Sequence, residues 1–209
     1  DLHTAFRRQR QMCIRDRLSI GLSRLEALSG RKVQRIGLSA TVGNPDEVSE
    51  WLSSTDGKPI IATGQRTTEL IVDTSLPEAE DEVGGIELSL PPRAHATFRE
   101  MVKIIRHSPP CLLFVNSRND AETIANRLQK MAPDVKIGVH HGSLATQTRI
   151  EMEEQLRTGE LSGLVCTSSL ELGIDVGKIS RIIQIKSPRS VDRMLQRVGR
   201  ADHRLGGIG

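Results

Sequence analysis

The stretch that decides the fold runs from residue 111 to residue 131 and reads CLLFVNSRNDAETIANRLQKM. Its first five residues are continuously apolar, which is typical of a strand buried on both faces of a parallel sheet. Residues 119–131 then carry apolar side chains at helical spacing, and Ser117 or Asn119 is suited to cap the helix that this spacing predicts. A buried strand that leads at once into an amphipathic helix predicts an α/β fold.

The same alternation continues on both sides of this stretch. Apolar runs predict strands, and spacings of three and four residues predict helices, in the order helix 98–105, strand 111–115, helix 119–131, strand 136–139, helix 145–156, strand 164–166, strand 182–185 and helix 190–198. Strands that are almost wholly apolar and alternate with helices imply a parallel sheet with helices on both faces. Such sheets bind their ligands at the carboxyl ends of the strands.

The first 93 residues are patterned less regularly. We predict, in chain order, a helix end at 18–28 that stops at Gly30, a short buried strand at 33–38, a helix from Pro45, and strands at 59–62 and 70–72. Residues 73–93 are acidic and then contain glycine and proline, which predicts a linker or an edge segment, and we take it as a linker. The run Met12–Arg17 is similar to the translation of a sequencing adaptor, so we base no functional argument on residues 1–17.

Composition restricts the possible functions. The 209 residues include 29 Lys and Arg against 26 Asp and Glu, and the resulting net charge of +3 and pI of about 9.0 suit a nucleic-acid partner without requiring one. Aromatic residues make up only 2%, so we expect any nucleic acid to be held by its backbone and not by stacked bases. The sequence has no membrane-length apolar run, no apolar signal core and no paired cysteine spacing, and we expect a cytoplasmic protein with reduced thiols.

Polar clusters stand directly after the predicted strands, where a parallel sheet holds its ligands. They are Ser39-Ala40-Thr41, Asn116-Ser117-Arg118, His140-His141-Gly142-Ser143 and Thr167–Asp175, and Gln196–Arg200 closes the last helix. Taken singly, each cluster is better explained by helix capping. It is their order and spacing together that predict a function.

This order resembles the motifs of superfamily 2 helicases. The correspondence is Ser39–Thr41 with motif III, Phe114–Arg118 with motif IV, Thr167–Asp175 with motif V, and Gln196–Arg200 with motif VI. Within the superfamily, the large helicase-related (Lhr) group is resembled by three runs, Ile36–Pro45, His140–Ser143 and Gln196–Ala201. The resemblance covers residues 18–209.

The resemblance implies both a domain organisation and an activity. Residues 1–72 would be the C-terminal fragment of a first RecA-like domain, 73–93 a linker, and 94–209 a truncated second RecA-like domain. The intact protein would use ATP to move 3′-to-5′ along nucleic acid, DNA in preference to RNA, and to separate duplexes, with a role in DNA repair. An RNA helicase and a helicase-like module that binds without hydrolysis remain alternatives. An unrelated doubly wound domain would have no reason to place these motifs in this order.

In this family two RecA-like domains enclose ATP, and the resemblance assigns residues on one side of it. Arg200 would be an arginine finger, because a guanidinium stays charged and matches phosphate oxygens. Arg197, three residues earlier on the same helical face, would assist or pack. Gly173 and Asp175 would approach the ribose and the phosphates, since glycine permits close backbone approach and aspartate accepts from a hydroxyl.

The same resemblance assigns a track for a nucleic-acid strand. Residues with short polar or basic side chains would contact its phosphates without reading bases, namely Ser117, Arg118, His141, Ser143, Thr167 and Ser168. A histidine next to glycine in a turn is as often a local hydrogen-bonding residue, so both roles stay open for His141. Ser39, Thr41 and Gln196 would couple the ATP site to this track.

The sequence departs from the family pattern in three places. It contains no G-x-x-x-x-G-K-[ST] phosphate loop and no Asp-Glu-x-His box, so we expect the Mg²⁺ ligands in a missing N-terminal half, within a first RecA-like domain in cis. His203 stands where relatives with a second finger place arginine, and Arg204, one position on, is a weaker candidate for ATP binding. We therefore expect that this chain alone does not hydrolyse ATP.

Overall fold

The computed structural model describes residues 2–38, 45–53, 69–72, 74–171 and 176–201, with the backbone alone for residues 2–15. The chain divides into two compact units, residues 1–60 and residues 61–209. Each unit has its own secondary structure, and the predicted α/β sheet lies wholly in the second.

Within the described residues of the first unit there are two helices, α1 (Leu2–Ser29) and α2 (Pro45–Ser53). Helix α1 stops where predicted, because Gly30 adopts a left-handed backbone with φ of +64°. It extends much further towards the N-terminus than the predicted 18–28. The predicted strand at 33–38 is wrong, since these residues form neither helix nor strand. Arg35 fixes this segment instead, with Nη1 donating to the carbonyl oxygen of Leu52 at 3.2 Å.

The second unit contains five helices and four strands among its described residues. In chain order they are α3 (Ala79–Glu87), α4 (Pro92–His107), β1 (Cys111–Phe114), α5 (Arg118–Met131), β2 (Ile137–His140), α6 (Thr146–Arg157), β3 (Gly163–Cys166), a 3-10 turn (Ser168–Leu170), β4 (Arg181–Gln184) and α7 (Val191–Val198). The strands form one sheet in the order β2-β3-β1-β4, and every pairing is parallel. This confirms the predicted parallel sheet, whereas the strand predicted at 70–72 is not formed.

The core lies on both faces of the sheet, as the apolar strands predict. Alternate residues point to opposite faces, so that Leu113 packs with α4 and α5 while Leu112 and Phe114 pack with Leu156 of α6. All four residues of β1 and all four of β3 are buried. Complete burial explains why these strands show no alternation of polar and apolar residues.

The two described cysteines belong to this core. Burial raises the pKa of Cys111 to about 12, and it raises the pKa of Cys166 as well. Because the thiolate is the reactive form, both thiols are inert at neutral pH. Both cysteines are free and buried in the structure.

Part of the predicted linker 73–93 is a helix. Helix α3 begins with a capping box in which Glu78 and Asp81 each accept from the other's backbone N–H. Asp81 is also fully buried, where His95 Nδ1 lies 2.7 Å from its Oδ1 and Arg99 Nη2 donates to its Oδ2 at 3.0 Å. Gly84 leaves room for the His95 ring, which a Cβ there would meet. The acidic residues that suggested a linker therefore cap α3 and bind it to α4.

Candidate ATP and nucleic-acid site

Polar residues collect at the carboxyl edge of the sheet, where the strand order brings the ends of β1, β2 and β3 side by side. Asn116 and Ser117 follow β1, His141 follows β2, and Thr167 follows β3. The predicted nucleic-acid residues therefore share one edge of the domain. This is the edge at which parallel sheets bind their ligands.

Arg118 and Ser143 are brought into contact at this edge. Arg118 Nη1 donates to Ser143 Oγ at 3.2 Å, and both side chains are exposed. Ser117 caps α5, where its hydroxyl accepts from the Asp120 N–H at 3.1 Å. The cap prediction is confirmed, and the exposed Arg118 guanidinium at the start of α5 is available to a phosphate.

Lys186, which the sequence did not single out, lies at the same edge after β4. Its Nζ donates to Asp120 Oδ1 at 3.0 Å, and this hydrogen bond lowers the pKa of Asp120. Lys186 has a φ of +64°, an uncommon backbone for a residue with a side chain. A lysine in a short loop gives no signal in sequence, because its place at the site depends on the pairing of β4 with β1.

His141 stands behind the exposed residues and is buried. Its Nδ1 accepts from the Ser143 N–H at 3.3 Å, so Nε2 carries the proton and donates to Glu122 Oε1 at 2.8 Å. These bonds fix the turn that presents Ser143. The geometry thus gives His141 the local hydrogen-bonding role, while direct contact with nucleic acid stays a prediction.

The neighbouring His140 is fully buried, at 0% exposure, between α6 and the 3-10 turn. Its Nε2 lies 2.8 Å from Glu153 Oε1, and its Nδ1 lies 2.7 Å from Ser169 Oγ. Burial lowers the pKa of His140 against the opposing effect of Glu153, so the ring is neutral at neutral pH. Nε2–H then donates to Glu153, and the one proton of the Ser169 hydroxyl lies between Nδ1 and the His140 carbonyl oxygen, which is 3.2 Å from Oγ. His140 ties the turn after β3 to the sheet.

A pH dependence of stability follows from His140. In the unfolded chain its pKa is about 6.5. Because folding lowers this value, the contribution of His140 to stability is complete above pH 6.5 and is lost as the pH falls below it. We expect His140→Gln to remove up to about 1.4 kcal/mol per pH unit from the slope of unfolding free energy against pH between 6.5 and 5. Urea unfolding followed by far-ultraviolet circular dichroism measures this slope.

The control for this experiment is His107→Gln, because His107 is exposed at the end of α4. This variant should retain the slope that His140 contributes. An equal slope in the wild-type chain and in His140→Gln would show that His140 is not the titrating group.

Thr167 and Ser168 begin the 3-10 turn after β3. The Thr167 N–H donates to the carbonyl oxygen of His140 at 3.2 Å, which joins the ends of β3 and β2. Ser168 is exposed, and its carbonyl oxygen accepts from the Glu171 N–H at 3.2 Å. An exposed hydroxyl on a turn fixed at both ends suits contact with a phosphate.

Arg197 lies inside the domain with 1% exposure. Its Nη2 and Nε donate to Glu171 Oε1 at 2.6 and 2.8 Å, and its Nη1 donates to Gln184 Oε1 at 2.7 Å. The guanidinium carbon also lies 4.9 Å from the centre of the Phe114 ring, a cation–π contact. Of the two predicted roles, packing is the one that this geometry supports.

Arg200 follows α7 and is half-buried. Its Nη2 and Nε donate to the backbone carbonyl oxygen of Glu171 at 2.9 and 3.3 Å. Burial lowers the pKa of Arg200, yet a guanidinium stays protonated at neutral pH. Gln196, on the same helix, is half-exposed. The Arg200 guanidinium is therefore oriented by the backbone of residue 171.

Five predicted residues fall outside the described part of the chain. They are Ser39, Thr41, Gly173, Asp175 and Arg204. Among the residues that the structure does describe, no group of three His, Cys, Asp or Glu side chains is placed to hold a metal ion. These residues therefore do not fit a Mg²⁺ site, and no step of the reaction is assigned to them through a metal.

The geometry and the comparisons together define the class of protein. The four-stranded parallel sheet covered on both faces is a doubly wound α/β arrangement, and its match to a solved Lhr helicase makes it a RecA-like domain. Residues 96–206 match the family model described as "Helicase conserved C-terminal domain", and the chain belongs to this family, within the superfamily 2 helicases.

Its relatives confirm the resemblance to the Lhr group. The chain is 39% identical over 198 residues to ATP-dependent helicase Lhr-Core protein 2 of Thermococcus barophilus, covering 90% of this chain and 22% of the relative. It is 36% identical over 196 residues to ATP-dependent helicase Lhr-Core of Methanothermobacter thermautotrophicus, with the same coverage of 90% and 22%. The structure of Mycobacterium smegmatis helicase Lhr bound to ssDNA and AMP-PNP matches with a TM-score of 0.76 and 34% identity over 91% of this chain and 25% of that one.

The chain thus spans a quarter or less of the length of these relatives. Among the described residues, no helix combines the length and the apolar character that crossing a membrane requires.

Proposed function

We propose that this chain is part of the motor of an ATP-dependent helicase that moves 3′-to-5′ along DNA in the cytoplasm. Residues 1–72 would belong to a first RecA-like domain, and residues 94–209 would form the second. The observation that carries this proposal is the common edge of the sheet, where Arg118 and Ser143 stand exposed and Arg200 follows α7. The relatives support it, because they are described as ATP-dependent helicases and one was solved with ssDNA and a nucleotide analogue.

The ATP site would be completed by the other RecA-like domain. Arg200 would place its positive charge against the phosphoryl group that is transferred, where negative charge develops. Asp175 and Gly173 would approach the ribose and phosphates, with Arg204 as a further ATP contact. The phosphate loop and the Mg²⁺ ligands would come from the first domain, since this sequence has no phosphate loop. The 209-residue chain by itself would then bind nucleic acid but would not hydrolyse ATP.

The nucleic-acid track would run along the carboxyl edge of the sheet. Ser117, Arg118, Ser143, Thr167 and Ser168 would contact phosphates, so binding would depend on salt and only weakly on sequence. Ser39, Thr41 and Gln196 would couple this track to the ATP site. If RNA stimulates ATP hydrolysis more strongly than DNA does, the result would favour the alternative of an RNA helicase.

Arg118→Ala tests this track in the full-length protein. Removing one phosphate contact should weaken binding to single-stranded DNA of every sequence alike and should reduce the slope of log affinity against log salt by about 0.7. Fluorescence anisotropy with labelled oligonucleotides at several salt concentrations measures both effects.

Arg106→Ala is the matched control for Arg118→Ala. Arg106 is also an exposed arginine, but it ends α4 and pairs with Asp134 at 2.7 Å, next to the amino ends of β1 and β2. Arg106→Ala should leave the slope of log affinity against log salt unchanged, although it removes the same charge as Arg118→Ala. A loss of affinity confined to one DNA sequence in Arg118→Ala would contradict contact with the backbone.

A further inference from the structure

Glu171 holds three arginines of the α7 segment at once. Its Oε1 accepts from Arg197 Nη2 at 2.6 Å and lies 3.5 Å from Arg193 Nε. Its backbone carbonyl oxygen accepts from Arg200 Nη2 at 2.9 Å. The residue is only 6% exposed, so these interactions are made in a poorly solvated environment.

The three arginines share one face of the helix. Their spacing of four and then three residues places Arg193, Arg197 and Arg200 in line along α7 and its C-terminal end. Residue 171 is the common partner of all three. The rotation of α7 about its own axis is therefore set largely by where Glu171 stands.

Glu171 is itself held firmly. It follows the 3-10 turn, in which Leu170 is buried and Ser169 bonds the fully buried His140. Its own N–H donates to the carbonyl oxygen of Ser168 at 3.2 Å. The backbone of residue 171 is thus tied to the ends of β2 and β3, independently of its contacts with α7.

The charges also require a carboxylate at this position. Arg193, Arg197 and Arg200 are like charges that repel one another where water is scarce. The carboxylate of Glu171 compensates the first two, while its uncharged carbonyl oxygen orients the third. Two hydrogen bonds to this one carbonyl oxygen orient the Arg200 guanidinium.

We propose that Glu171 is the positioning residue for Arg200, and that through it the turn after β3 determines where the finger points. This rests on the proposed function, in which Arg200 serves ATP hydrolysis. Glu171 acts through another residue and touches no reacting atom. Its effect should therefore disappear when Arg200 is absent.

The test is a double-mutant cycle in the full-length protein. Glu171→Gln and Glu171→Asp are each made in the wild-type and in the Arg200→Ala background, and steady-state ATP hydrolysis with single-stranded DNA is measured over a range of ATP concentrations. A guanidinium displaced by about 1 Å costs on the order of 100-fold in rate. We expect a loss of that order in kcat in the wild-type background, with little change in KM for ATP, and no further loss in the Arg200→Ala background.

Glu154→Gln is the matched control, since Glu154 is an exposed carboxylate that pairs with Arg157 on α6. It should leave both backgrounds unchanged. Thermal unfolding identifies any variant that does not fold. Glu171→Asp retains a carboxylate as the charge partner of Arg197. It therefore tests the positioning role of Glu171 if Glu171→Gln does not fold.

The outcomes separate the two proposals. Absence of DNA-stimulated hydrolysis in the wild-type protein would contradict the proposed function itself. Active wild-type protein with equal losses in both backgrounds would overturn the positioning role, because Glu171 would then act independently of Arg200. Folded Glu171 variants with unchanged kcat would overturn it as well.

Discussion

Arg200→Ala is expected to lower ATP hydrolysis by the full-length protein by about 10³- to 10⁵-fold, the range in which arginine fingers contribute in related enzymes. The transferred phosphoryl group gains negative charge that a guanidinium stabilises, and alanine offers no substitute. Binding of single-stranded DNA at low salt should be retained, since Arg200 contacts the carbonyl oxygen of Glu171 and is assigned to ATP. Steady-state hydrolysis and oligonucleotide binding on the same preparation measure the two effects.

Two controls make the Arg200 result specific. Arg106→Ala removes an exposed arginine elsewhere and should hydrolyse ATP at the wild-type rate. Arg200→Lys keeps a positive charge without the planar fork and should recover only part of the activity. An Arg200→Ala protein that turns over ATP at the wild-type rate would refute the finger assignment.

Arg197→Ala is expected to destabilise the 209-residue chain by about 3–5 kcal/mol. The change removes the shorter of the two ion pairs of Glu171, a buried carboxylate, and leaves it with the 3.5 Å contact to Arg193. It also removes the donor to Gln184 and the contact with Phe114. Urea unfolding at neutral pH measures the difference in free energy.

Arg157→Ala provides the comparison for Arg197→Ala. Arg157 also pairs with a glutamate at 2.6 Å, but both side chains are more than half exposed, at 55% and 54%. Exposed pairs contribute about 0–1 kcal/mol, so the same substitution should have a small effect there. A loss below about 1 kcal/mol in Arg197→Ala would mean that the pair with Glu171 is not the buried contact described above.

The fold of the second unit could be predicted almost entirely from the sequence. Its strands are continuous apolar runs and its helices have clear periodicity, so local pattern and tertiary structure agree. Three segments of the chain were mispredicted, and one of them, residues 70–72, forms no strand. The acidic 73–93 segment contains α3, whose stability depends on the distant His95 and Arg99. Residues 33–38 look like a buried strand but pair with no other strand in the described chain.

The sequence predicts which residues of the site lie at the ends of strands. It does not predict roles that depend on where a side chain points. Arg118 and Ser143 meet because each follows a strand of the same sheet edge. The roles of Arg197 and Arg200 differ, although both are arginines of one motif, because only Arg197 points at Phe114 and the Glu171 carboxylate. That distinction needs the packing of α7 on the sheet. Glu171 stood within the motif, but no spacing in the sequence links it to α7.

Under the proposed function, this chain would be part of a nucleic-acid-driven ATPase motor. The most direct test of this function measures ATP hydrolysis by the wild-type full-length protein with and without single-stranded DNA. We predict hydrolysis that is strongly stimulated by DNA and that falls by orders of magnitude in Arg200→Ala. Wild-type protein that binds DNA but hydrolyses no ATP in its presence would contradict the claim and would identify a helicase-like binding module instead.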